Sequence, residues 1–127
     1  MEWRKYGVQK MSYDLVEDLQ NRIMELNELI HEAKELGYEA SVAERDYKIL
    51  LRVECLKLRE EGMAVGMIDK VCYGIESVAE ARCKRDCTAA LYKSNQEAIN
   101  SLKLQIRILD SQIQREWGAY NGNWSTS

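Results

Sequence analysis

Proline and phenylalanine are absent from this 127-residue chain, histidine occurs once, and glycine only seven times. Without proline nothing forces a helix to stop, and few glycines mean few places where one weakens. No stretch approaches the ~20 consecutive apolar residues of a membrane helix. The segment Met1–Met11 is charged and aromatic and has no apolar core, so it does not read as a signal peptide. No glycine-rich phosphate loop and no nucleophile elbow occur, and the chain's single Glu-x-x-His, Glu28 to His31, is one short of the pair a di-metal site uses. These absences point away from an enzyme and away from a resident cofactor.

What is present is helix-forming. The apolar fraction is 46% and the charged fraction 31%, which fits one globular domain rather than a disordered tail. Leu15, Leu19, Ile23, Leu26, Ile30 and Ala33 recur every three or four residues and predict one apolar stripe on a helix. A second run, Ala43, Tyr47, Leu50, Leu51 and Leu58, carries a wider apolar surface through Val42, Ile49, Val53 and Leu56. It ends at Gly62, a natural C-terminal cap. A third run culminates in Ile99, Leu102, Ile106, Leu109, Ile113 and Trp117, the cleanest coiled-coil-like seam in the chain.

The expected organisation is an N-terminal extension (1–11), one helical domain (12–117) and a flexible tail (118–127). The domain holds helices at about 12–61 and 75–117, with a connection at 62–74 carrying a short turn at 67–72. The fold class is all-α: a long antiparallel hairpin, with Gly37 the place for a kink. A reversal at Gly37 would instead give three unequal helices. Setting Leu58 opposite Val78 also sets Tyr47 opposite Ala89, Ile30 opposite Ile106 and Leu26 opposite Leu109. Charge supports the pairing. Residues 14–39 hold eight acids and two bases, net -6, and residues 82–115 hold seven bases and three acids, net +4. A two-helix hairpin leaves the second apolar face uncovered, so self-association into a helical bundle is expected.

Glu44, Asp46, Glu54, Arg82, Arg85 and Asp86 form a candidate polar network that would set register through Arg–carboxylate pairs. Trp3, Tyr6, Tyr13, Trp117 and Tyr120 form a candidate partner surface, because Trp and Tyr dominate binding hot spots. Cys55, Cys72, Cys83 and Cys87 read as free thiols. A four-thiolate zinc site is conceivable, but no Cys-x-x-Cys pair or companion histidine supports it, so no metal is assigned. His31 reads as a solvated group on an acidic face. The bases of the third helix are spread around it rather than in one stripe, which does not favour nucleic acid.

The runs Tyr38-Glu-Ala-Ser-Val-Ala-Glu-Arg-Asp-Tyr47 and Leu58-Arg-Glu-Glu-Gly62, with Val78-Ala-Glu-Ala-Arg82, Arg85-Asp86, Tyr92 and Arg115-Glu-Trp-Gly118, resemble uncharacterised small helical proteins of tailed bacteriophages and prophages. The resemblance spans roughly residues 20–118. It implies a phage setting among early replication and recombination genes and carries no assigned activity, while the four free thiols point to the cytoplasm, here that of the host cell. Where those proteins have a proline after the Glu-Gly of the connection, this chain has Met63-Ala64, which implies a looser turn. The function read from all this is a non-enzymatic helical adaptor or accessory protein. It would work through helix–helix contacts, as a homo-oligomer and with a phage or host protein partner. The alternatives are an inhibitor of a host nuclease or defence complex through the acidic face, and a DNA-associated recombination accessory.

Overall fold

The structure, a computed structural model, describes the backbone of residues 2–125 and the side chains of residues 13–119. It is all-α, with α1 at Glu2–Glu60, α2 at Val65–Cys72 and α3 at Glu76–Ser125. α1 runs unbroken through Gly37, so the chain does not reverse there. The helical backbone also takes in residues 2–11 and 118–125. No proline occurs in either stretch, and each of their three glycines costs a helix only about 1 kcal/mol.

α1 ends where the sequence supplies the means. Gly62 adopts φ +89°, which only glycine takes without strain. The Met63 N–H donates to Leu58 O at 3.1 Å and the Gly62 N–H to Arg59 O at 3.0 Å. This is the paired Schellman pattern that satisfies the last carbonyls of a helix. α2 follows, with Ile68 and Cys72, four apart, as its buried residues. The Ile75 N–H donates to Cys72 O at 3.2 Å, and Glu76 places an acid in the first turn of α3, where the helix dipole favours it.

The residues group into two units, Met1–His31 with Glu97–Ser127, and Glu32–Gln96. In the first, α1 and α3 pack through two rows of less exposed residues. On α1 these are Leu15, Leu19, Arg22, Leu26 and Leu29, spaced alternately four and three. On α3 they are Ile99, Leu102, Ile106, Leu109 and Ile113, of which Ile99, Leu102 and Leu109 are buried. Arg22 lies within its row and its guanidinium donates to the Gln105 side-chain oxygen. Ile23 and Ile30 were expected in this seam but are exposed. The row rotates by one residue at these points and takes Arg22 and Leu29 instead. Arg22 can take a seam position because its long stem buries while its head reaches polar partners.

In the second unit the α1 row is Ala33, Leu36, Ala40, Ala43, Tyr47, Leu50 and Glu54, again alternately three and four apart. Its core is Tyr47, Cys72 and Val78, packed against Leu50, Leu51, Cys55, Leu58, Ile75 and Ala81. α2 thus closes this core, contributing Cys72. Tyr47 meets Arg85, where the apolar stripes set it opposite Ala89. Gly37 faces the ring of Tyr92, where a Cβ would stand 3.3 Å from the ring's Cζ. Asn95 is a buried polar residue of α3 in this unit.

Candidate functional site

The second unit concentrates the features with chemical character. Tyr47 is almost fully buried in the α1 row, and the Arg85 Cζ lies 4.3 Å from its ring centroid. At that distance the guanidinium charge is attracted to the ring face. Asp86 holds the same guanidinium at 2.9 Å. That contact, ahead of all other influences, pushes the Arg85 pKa up, so its charge is permanent. Glu44, Arg85 and Asp86 line a groove of about 350 Å³ together with Gly37, Ser41 and Tyr92.

Glu44 pairs with Lys48 at 3.3 Å at the edge of this groove. The other expected members of the polar network lie elsewhere: Asp46 pairs with its chain neighbour Arg45 at 3.1 Å and Glu54 with Lys57 at 3.3 Å. Arg82 donates to the Tyr73 carbonyl at 3.4 Å and lies 5.9 Å from that ring's centroid. The structure therefore brings Glu44, Arg85 and Asp86 to one groove, with Asp46, Glu54 and Arg82 in local contacts outside it. Of the expected aromatic surface, Tyr13 and Trp117 are strongly exposed. The side chains of Trp3, Tyr6 and Tyr120 lie outside the described residues.

Two pairs of thiols stand in the same unit. The Cys55 thiol donates to Cys72 Sγ at 3.1 Å, and the Cys72 thiol donates to Leu51 O at 3.7 Å. Cys72 is wholly buried and Cys55 half-buried. Burial first, and then the neighbouring Cys55, pushes the Cys72 thiol up to about 11. Cys83 and Cys87 are exposed on one helix face with their sulfurs 3.9 Å apart. Their contact raises the pKa of Cys87. With Leu58 set opposite Val78, Cys55 falls near residue 81 and within reach of Cys83, but the structure pairs it with Cys72. The signal for its true partner was the pair Ile68 and Cys72, whose four-residue spacing turns both inward from α2. Among the described residues, no group of three or more His, Cys, Asp or Glu side chains is placed to hold a metal ion.

Outside the α1–α3 seam, α1 of this unit carries a second row at the same spacing. It runs Glu32, Glu35, Glu39, Val42, Asp46, Ile49, Val53, Leu56 and Glu60. The exposed apolar residues Ile49, Val53 and Leu56 form its later half. Leu56 also borders a groove of about 220 Å³ between α1 and α2, lined by Arg52, Cys55, Arg59, Val65, Ile68 and Asp69. In the first unit Val16, Ile23 and Ile30, seven apart, form an exposed apolar row on α1, and Asp14, Glu17, Glu25 and Glu28 are exposed carboxylates. No described helix is long and apolar enough to cross a membrane. Comparison of the chain with protein-family models, with curated proteins and with solved structures yields no match in any of the three.

Proposed function

We propose that the chain is a non-enzymatic helical adaptor whose work is done by helix–helix contact, first with a second copy of itself. The carrying observation is the second row on α1. Ile49, Val53 and Leu56 keep the alternating spacing of a helix seam, yet each is about half exposed, at 57%, 41% and 50%. An apolar stripe at seam spacing with no helix over it is what a coiled-coil partner covers. In this reading the basic molecule is a long antiparallel hairpin of α1 and α3, with α2 at its turn, and two hairpins join into a bundle. The setting is that of a phage protein in the host cytoplasm, with a phage or host protein as the further partner.

The test is affinity capture from host extract with the wild-type chain and with Val53→Glu and Leu56→Glu. The adaptor reading requires that the substitutions remove the retained proteins and leave helicity unchanged. Retention that is indifferent to both substitutions contradicts it.

A second reading rests on the exposed carboxylates of the first unit, Asp14, Glu17, Glu25 and Glu28. Such a row presents negative charge along one helix as a nucleic-acid backbone does, which suits an inhibitor of a host nuclease. Neutralising three of them to Gln abolishes inhibition of the target nuclease in that reading and leaves oligomeric state alone.

A further inference from the structure

We propose that Cys55 and Cys72 form a dithiol site that takes a peroxide-class oxidant and closes into an intramolecular disulfide joining α1 to α2. The inference does not require that the chain self-associates.

The geometry is selective between the two thiol pairs. Cys55 Sγ and Cys72 Sγ are already in contact at 3.1 Å, and a disulfide needs an approach of only about 1 Å more, to ~2.05 Å. The two residues belong to different elements. α2 is eight residues long and is joined to its neighbours by short non-helical segments, so it can move that far. Cys83 and Cys87, in contrast, are fixed four apart on one helix. Residues so spaced hold their Cβ atoms about 5–6 Å apart, whereas a disulfide needs about 3.5–4.5 Å. Closing that pair would break the helix locally.

Exposure assigns the two roles. Cys55 borders the open groove between α1 and α2 and is the sulfur an oxidant reaches. Its sulfur attacks one peroxide oxygen and the O–O bond breaks. Cys55 becomes a sulfenic acid and the first water leaves. The Cys72 sulfur, buried against it, then attacks the Cys55 sulfur and displaces the hydroxyl. The hydroxyl departs as the second water with the proton Cys72 gives up. Each cysteine sulfur loses one electron, and the peroxide gains the two. The raised pKa of Cys72 keeps it a thiol until then, so the second step quickens as pH rises. The product closes a loop between residues 17 apart and fixes α2 against the core formed by Tyr47 and Val78.

The experiment treats the full chain with hydrogen peroxide, counts free thiols and maps disulfides by peptide mass spectrometry without reduction. The expected result is loss of two of the four thiols, a single Cys55–Cys72 cross-link, and a thermal midpoint raised by about 5–10 °C and returned by dithiothreitol. Cys55→Ser removes both the cross-link and the rise, while the double variant Cys83→Ser/Cys87→Ser keeps them. Cys55→Ser is the deciding variant because position 55 is half-buried and tolerates the hydroxyl. Oxidation that falls on Cys83 and Cys87, or cysteine sulfinic acid without a Cys55–Cys72 bond, overturns the proposal.

Discussion

The guanidinium of Arg85 lies over the ring of Tyr47, 4.3 Å from its centroid, and joins α3 to α1 at the edge of the second unit's core. Tyr47 is buried there beside Cys72 and Val78. Tyr47→Ala is therefore expected to cost about 3–5 kcal/mol, the usual range for deleting a buried aromatic. Arg85→Gln lowers the urea midpoint in the wild-type background and has no further effect once Tyr47 is Leu. Equal effects of Arg85→Gln in both backgrounds would show that the ring contact carries nothing.

In the first unit the ranking of apolar residues is a test of the seam. Leu102 is 5% exposed, whereas Ile30 is 43% exposed. Leu102→Ala should cost about 2–5 kcal/mol and Ile30→Ala under about 1. The apolar spacing of the sequence alone ranks them equally. Chemical denaturation of the two variants decides, and equal losses would return Ile30 to the seam.

Gly37 sits inside a continuous helix, where Ala is intrinsically better by about 1 kcal/mol. The new methyl would stand 3.3 Å from Tyr92 Cζ, so the ring must yield by a few tenths of an ångström. Tyr92 is 37% exposed and has room to do so. Gly37→Ala is thus expected to stabilise by less than the intrinsic amount, and by the full ~1 kcal/mol in a Tyr92→Ala background. A loss of stability in both backgrounds contradicts this packing.

Alkaline pH should weaken the fold through Cys72. Its thiol ionises near 9.0 in the unfolded chain and at about 11 in the folded one. Between those values the unfolded chain has released a proton that the folded chain still holds, so stability falls as pH rises from 9 to 11. Below 9 both states hold the proton and the group contributes no slope. Cys72→Ala should flatten the dependence in that window when urea midpoints are compared with wild type; an unchanged slope would place its cause elsewhere.

Much of the fold is legible in the residues. The missing prolines allow α1 to pass Gly37, where no polar cluster offers a reversal, and Gly62 stops it with a left-handed φ. The row on α3 from Ile99 to Ile113 follows directly from apolar spacing. The rest is hidden because seam positions are not all apolar. Arg22, Glu54 and Asn95 occupy inward positions that a hydrophobic count skips, and each skip rotates the inferred face by one residue. The contact of Cys55 with Cys72 depends on α2 folding back over α1, which spacing within a single helix does not encode.

Sedimentation equilibrium of the wild-type chain beside Val53→Glu shows whether a second copy covers Ile49, Val53 and Leu56. The wild-type mass is expected to rise with concentration toward a defined oligomer, and the variant to shift toward monomer with the same helical circular dichroism. A wild-type chain that remains monomeric into the millimolar range, or a variant that associates as well as wild type, contradicts that coverage.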